Sequence, residues 1–150
     1  MAVFIGTNLV YKEFDEKKHI MEIESPAIDW TKYISIDFGQ TNPTAVLFIG
    51  IDSEDNIYVY DEIYQANLYT SQLAHLIKSK MGTQYITQIF GDQAAAQSIK
   101  DLSEYGIYVY PVKKQDGSGE DYFKVGIERI RGYLKIQEGT GKPKIFVAGH

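Results

Sequence analysis

The fold is decided by the stretch Tyr33-Ile34-Ser35-Ile36-Asp37-Phe38-Gly39, in which an apolar run leads into an acid and a glycine. β-branched and aromatic side chains favour a strand here, and the glycine, asparagine and proline at positions 39–43 favour a turn after it. Side chains of a strand alternate between its faces, so Ser35 and Asp37 share one face and the isoleucines share the other. The stretch therefore predicts a strand over residues 33–38 with a carboxylate at its C-terminal end.

Two more strands follow this one after short turns. Residues 44–51 are almost wholly apolar, which is typical of a strand buried on both faces. Residues 52–56 are polar and predict a turn, and residues 57–64 alternate in polarity as a third strand. Strands joined by short turns run antiparallel, so residues 33–64 predict a three-stranded meander.

The apolar period changes to that of helices after residue 68. It predicts helices near residues 69–80, 95–102 and 123–134, separated by strands at 85–90, 107–112 and 144–147. Thr70 or Ser71 is expected to cap the first helix, and Gly106 suits the left-handed turn after the second. Helix-linked strands run parallel through right-handed crossovers. The sequence thus predicts one α/β domain over residues 1–150, with lead-in strands in 1–30 and a mixed sheet flanked by helices.

Composition limits the class of protein. The chain has 150 residues, 44% of them apolar and 23% charged, enough for a packed core. It contains no cysteine, which excludes disulfides, thiolate zinc sites and a cysteine nucleophile and fits a reducing compartment. No apolar run reaches the roughly 18 residues that a membrane helix needs. We therefore expect a globular domain that does not cross a membrane.

Charge is distributed unevenly along the chain. Residues 1–100 contain 7 basic and 13 acidic residues, whereas residues 101–150 contain 8 basic and 7 acidic ones. Such a split suits a metal in one place and phosphates in another, or an ordinary solvated helix face. The bases that are candidates for DNA phosphate contacts are Lys113, Lys114, Lys124, Arg129 and Arg131.

Asp37 and Asp92 each follow an apolar strand. Taken singly, Asp37 could start a turn and Asp92 could cap a helix. If their strands are neighbours, both carboxylates reach one edge of the sheet. Two carboxylates about 4 Å apart repel by roughly 4 kcal/mol at an effective dielectric constant near 20. One would then take up a proton unless a cation lay between them, and Mg²⁺ or Mn²⁺ prefers such oxygen ligands.

Six motifs occur in a characteristic order along the chain. They are Leu9-Val10-Tyr11-Lys12-Glu13-Phe14-Asp15, residues 33–39 with Asn42-Pro43-Thr44-Ala45, Tyr60-Asp61-Glu62-Ile63-Tyr64, Gly91-Asp92-Gln93-Ala94-Ala95, Gly106-Ile107 and Lys124-Val125-Gly126-Ile127-Glu128-Arg129-Ile130. In this order and spacing they resemble the nuclease domain of bacteriophage large terminase subunits, the DNA-packaging motors of tailed phages. The resemblance covers residues from about 10 to 150 and implies a ribonuclease H-like fold.

The resemblance also implies a site and a reaction. The first two metal-binding acids of that family lie on the first strand and at the end of the fourth, which correspond to Asp37 and Asp92, and this fold makes the two strands neighbours. The implied activity is endonuclease cutting of concatemeric DNA with two Mg²⁺ or Mn²⁺ ions. The implied partners are double-stranded DNA, the terminase small subunit and the portal protein, in the cytoplasm of the bacterial host of a phage or prophage.

The sequence departs from the family pattern in two places. The family's third acid lies in a segment beyond the final hairpin, and its nuclease domain follows an ATPase domain with a P-loop; this sequence contains neither. We therefore expect a fragment of a longer protein with impaired activity. Glu120 and Asp121 could replace the third acid only if their loop folded back over the sheet edge, and Glu62 could be an outer acid or a solvated strand end.

Three alternatives share part of the pattern. Residues 36–42, Ile-Asp-Phe-Gly-Gln-Thr-Asn, are similar to the phosphate loop of actin-like ATPases, but those proteins need a second lobe and a second loop. A non-catalytic module of the same fold could hold DNA or a portal protein. A Holliday-junction resolvase is a closer relative, disfavoured because its later acids have no counterpart here.

Overall fold

The computed structural model describes residues 26–39, 42–113 and 122–138, together with short strands at 2–5, 8–9, 20–21 and 147–148. The strands are β1 (Ala2–Ile5), β2 (Asn8–Leu9), β3 (Ile20–Met21), β4 (Thr31–Asp37), β5 (Thr44–Ile51), β6 (Ile57–Gln65), β7 (Gln88–Asp92), β8 (Tyr110–Val112) and β9 (Val147–Ala148). The helices are α1 (Thr70–Met81), α2 (Ala96–Ser103) and α3 (Tyr122–Glu138), and a 3₁₀ turn (Gln93–Ala95) precedes α2. In these ranges no helix combines the length and the apolar character that crossing a membrane requires.

Seven strands form one mixed sheet in the order β3-β1-β6-β5-β4-β7-β8, and β2 pairs with β9 separately. β4, β5 and β6 are antiparallel neighbours, which confirms the predicted meander. β7 runs parallel to β4 on one side and to β8 on the other, as expected for helix-linked strands. All eight residues of β5 are buried, which confirms that this strand is covered on both faces. The predicted α/β mixed sheet is confirmed.

Some element boundaries differ from the predicted ones. The strand expected over 107–112 is confined to Tyr110–Val112, and the one expected over 85–90 lies at Gln88–Asp92. α1 is capped at Tyr69, whose backbone N–H donates to Gln72 Oε1 at 2.9 Å. The prediction of a cap at 70 or 71 was therefore wrong, because the helix already begins at Thr70 and the Gln72 side chain accepts from the backbone N–H of the residue before it.

Helices cover both faces of the sheet. On one face α1 and α2 pack over the isoleucines of β4, and on the other α3 packs over Tyr33 and Phe90. The alternation of β4 explains this division, since Ile34 and Ile36 point towards α1 and Tyr33 points towards α3. The first cluster reaches Ile36, directly before Asp37 at the C-terminal end of β4.

Candidate functional site

Parallel pairing brings Asp37 and Asp92 to the same edge of the sheet. Ser35 lies opposite Phe90 and Ile36 lies opposite Gly91, so the next residues along the two strands are the two aspartates. Both are half-buried. The neighbouring strands on which the predicted metal site depends are thus present.

The two aspartates line one cavity of about 330 Å³. Its walls come from the turn after β4, from the start of α1, and from the 3₁₀ turn and α2 after β7. Phe38, Leu73 and Leu102 supply apolar wall, while Thr44 and Ser98 supply hydroxyl groups. Two carboxylates in a partly apolar cavity at the end of a sheet are an arrangement that concentrates negative charge.

Asp92 caps the 3₁₀ turn that follows its strand. Its Oδ1 accepts a hydrogen bond from the Ala94 backbone N–H at 2.9 Å. The expectation that this residue is a cap is confirmed, but a carboxylate has two oxygens and this hydrogen bond occupies only one. Capping and lining the cavity are therefore compatible roles for one side chain.

Among the described residues, no hydrogen bond from the Asp37 side chain holds the turn that follows β4. That turn is closed by the Gly39 backbone N–H, which donates to Thr44 Oγ1 at 3.0 Å. Gly39 is required at this point, because a Cβ there would lie 1.9 Å from the backbone oxygen of Asn42. Residues 40 and 41 of this turn fall outside the described residues, so the turn-starting role considered for Asp37 stays a prediction.

Arg129 on α3 reaches the C-terminal end of β4, next to Asp37 in the sequence. It is 7% exposed, and its Nη1 donates to the Ile36 carbonyl at 2.8 Å and to Ser35 Oγ at 3.0 Å. Burial lowers the pKa of its guanidinium, and the charges of Asp37 and Asp92 oppose that shift. We expected this residue among the exposed bases that contact DNA phosphates, and its buried position contradicts that expectation.

The other predicted bases are not brought together in the described chain. Lys113 is exposed just after β8. Arg131 Nη1 lies 4.0 Å from Glu128 Oε1 on the same helix. Lys114 and the side chain of Lys124 fall outside the described residues. Contact between these bases and DNA stays a prediction.

The further acids considered from the sequence do not complete a ligand set within the described residues. Glu62 is on β6, with β5 between it and β4, and its backbone N–H donates to Asp61 Oδ1. Glu120 and Asp121 fall outside the described residues. Among the residues that are described, no group of three or more aspartate, glutamate, histidine or cysteine side chains could hold a metal ion. Asp37 and Asp92 offer hard carboxylate oxygens on one cavity, which is a donor chemistry that suits Mg²⁺ or Mn²⁺.

Comparison with known proteins gives one sequence relative and several similar structures. No family model matches the chain. The chain is 40% identical over 83 residues to the terminase large subunit of Escherichia phage T5, and this match covers 54% of the chain and 19% of the relative. The chain therefore spans about a fifth of the length of the curated relative that it matches.

Solved large terminase structures share the fold. The P22 large terminase nuclease domain is 16% identical with a TM-score of 0.56, over 91% of this chain and 72% of that one. The large terminase nuclease of the thermophilic phage G20c is 14% identical with a TM-score of 0.51, over 91% and 67% of the two chains. The large terminase of another thermophilic bacteriophage, in complex with ATP-γ-S, is 19% identical with a TM-score of 0.58, over 77% and 30%. The resemblance to large terminase nuclease domains is confirmed, and with it the ribonuclease H-like fold.

Proposed function

We propose that this chain is the nuclease domain of a phage or prophage large terminase subunit and hydrolyses phosphodiester bonds of DNA with divalent ions. The observation that carries the proposal is the pair Asp37 and Asp92 on one cavity at the ends of two parallel strands. Sequence similarity to a large terminase subunit and the fold of terminase nuclease domains support it.

In this mechanism Asp37 and Asp92 would hold Mg²⁺ or Mn²⁺ through their carboxylate oxygens. Such an ion, or a pair of them, would supply activation of water and stabilisation of the leaving oxygen of a phosphodiester. The chain itself fixes the two carboxylates on paired strands and uses the Ala94 hydrogen bond to orient Asp92.

The proposed substrate is double-stranded DNA. The chain has a net charge of −5, so DNA binding needs a local basic surface. Lys113, exposed after the strand next to β7, is the described residue best placed for a phosphate contact. Lys114, Lys124 and Arg131 are further candidates. The terminase small subunit and the portal protein are proposed partners, and the cytoplasm of a bacterial host is the proposed location.

Nicking of supercoiled plasmid in Mn²⁺, together with melting temperature in Mn²⁺ and in EDTA, tests the proposal. We expect Mn²⁺ to raise the melting temperature and to support nicking, and we expect Asp37→Asn and Asp92→Asn to abolish both effects. Asp29→Asn is the matched control, because Asp29 is exposed at the opposite end of β4. It should behave as the unmodified chain does.

Three other results would each contradict the proposed nuclease function in a different way. DNA binding without nicking and without a Mn²⁺ shift would point to a docking module. Stabilisation by ATP would point to an actin-like ATPase. A Mn²⁺ shift that persists in Asp37→Asn would contradict the proposed ligand assignment.

A further inference from the structure

A buried guanidinium without a nearby counter-ion is costly, and Arg129 poses this problem at the site. Its exposure is 7%, and its two hydrogen bonds go to neutral acceptors, a hydroxyl and a backbone carbonyl. Its Nε and Nη2 are buried and have no hydrogen-bond partner among the described residues. Burying a charge costs several kcal/mol unless an opposite charge compensates it. A compensating charge is therefore needed close by.

Asp37 and Asp92 are the acids whose charges act on this guanidinium among the described residues. Arg129 holds the carbonyl of Ile36, the residue directly before Asp37 and the one paired with Gly91 before Asp92. The two carboxylates have the complementary problem, because without a cation they repel each other. Among the described residues Arg129 makes no hydrogen bond to either carboxylate, so its charge compensates theirs across the end of β4 and not through a direct salt bridge.

Close packing of α3 places the arginine at this depth. A Cβ on Gly126 would lie 3.3 Å from Ser35 Cβ and 2.8 Å from Leu47 Cδ1, so α3 meets the sheet closely at this glycine. Arg129 follows three residues later, on the same side of the helix. Its Nη1 then reaches Ser35 Oγ, on the same side chain that a Cβ at Gly126 would meet.

We propose that Arg129 is the resident counter-ion of the Asp37–Asp92 pair, a positioning residue that offsets the charge of the two carboxylates from the C-terminal end of β4 when no divalent ion is bound. This role goes beyond the proposed nuclease function and does not require it. It follows that the metal-free protein is held together at this edge by its own cation, and that a bound ion adds to this charge compensation.

A double-mutant cycle in EDTA tests the proposal without any metal or activity. We expect Arg129→Met to lower the melting temperature by roughly 10 °C in the unmodified chain and by about half as much when Asp37→Asn and Asp92→Asn are also present. Arg129→Lys keeps the positive charge and should recover much of the loss. The control cycle with Asp29→Asn should show no coupling.

Equal losses from Arg129→Met in both backgrounds would overturn the proposal, since the arginine would then act through packing alone. If Arg129→Met does not fold in the unmodified chain, recovery of a cooperative transition in the Asp37→Asn/Asp92→Asn background supports the proposal. Failure of Arg129→Met and of Arg129→Gln in both backgrounds overturns it.

Mn²⁺ separates the counter-ion role from the proposed nuclease function. If both hold, Mn²⁺ raises the melting temperature of Arg129→Met more than that of the unmodified chain, because the ion replaces the missing charge. Coupling in EDTA with no Mn²⁺ shift would support the counter-ion and contradict the metal site. A Mn²⁺ shift without coupling between Arg129 and the aspartates would support the metal site and contradict the counter-ion role.

Discussion

Asp92 has two roles that substitutions can separate. As a cap it needs only an acceptor oxygen for the Ala94 N–H, 2.9 Å away. As a proposed metal ligand it needs its negative charge. Asparagine keeps an acceptor oxygen of the same reach and lacks the charge, whereas alanine lacks both. We therefore expect both Asp92→Asn and Asp92→Ala to remove the response to Mn²⁺, and we expect Asp92→Ala to be the less stable of the two.

The size of the stability difference follows from the position of this cap. Replacing an aspartate or asparagine cap by alanine costs about 0.5–2 kcal/mol. The hydrogen bond to Ala94 is solvent-exposed, and it caps a short 3₁₀ turn (Gln93–Ala95), so the cost belongs in the lower half of that range. We expect Asp92→Ala to be about 1 kcal/mol less stable than Asp92→Asn, which is roughly 2–4 °C in melting temperature for a domain of this size.

Urea unfolding in EDTA measures the cap, and the change in melting temperature on adding Mn²⁺ measures the charge. Both variants should lose the Mn²⁺ response, and of the two the alanine variant should show the lower urea midpoint. Equal midpoints would refute the capping argument. A full Mn²⁺ response in Asp92→Asn would refute the role of the Asp92 charge in the proposed site.

Two further predictions concern packing and pH. Gly126→Ala should destabilise the chain by about 1–3 kcal/mol in urea unfolding, because its Cβ would lie 2.8 Å from Leu47 Cδ1. Gly132→Ala on the same helix is the control: its Cβ would meet nothing within 4 Å, so it should stabilise the chain by up to about 1 kcal/mol. Burial raises the pKa of Asp52, but hydrogen bonds from Asn56, the Glu54 N–H and Tyr58 outweigh it and hold the pKa below its usual value. The stability that the lowered pKa of Asp52 gives is present above the unfolded-state pKa and is lost as pH falls through the folded-state pKa. In urea unfolding, Asp52→Asn should therefore be less stable than the unmodified chain at neutral pH. The difference in stability between the two should disappear in strong acid.

The strands at the centre of the sheet could be predicted because local pattern and tertiary role agree there. β5 is a continuous apolar run and is buried along its whole length, and its predicted bounds of 44–51 are those observed. β8 is shorter than predicted because Ile107 and Val109 are buried outside the ladder. Alternating apolar residues predict burial of their side chains. Such residues can be buried without pairing to a neighbouring strand, so the pattern alone does not define the bounds of a strand.

Asp37 and Asp92 could be chosen from the sequence because both follow apolar strands, but local pattern could not make those strands neighbours. Fifty-five positions separate the two acids along the chain. Their adjacency came from the resemblance to a known fold, and the parallel register of β4 and β7 confirms it. Pairing between distant strands is a tertiary property that no local window contains.

From the sequence, we assigned the positive charge near Asp37 and Asp92 to an external ion, which stays a prediction. The structure adds a buried positive charge near this sheet edge, because Arg129 donates to the Ile36 carbonyl. Arg129 lies in a helix segment with charged neighbours, Glu128 and Arg131, which is typical of a solvated face and predicts contact with DNA. The same segment contains a signal that Arg129 is buried. Gly126, three residues earlier, lies where α3 approaches the sheet closely. A residue about one helical turn away lies on the same side of the helix and is buried with it. A base one helical turn from a buried glycine is therefore a candidate for an internal charge before it is a candidate for a phosphate contact.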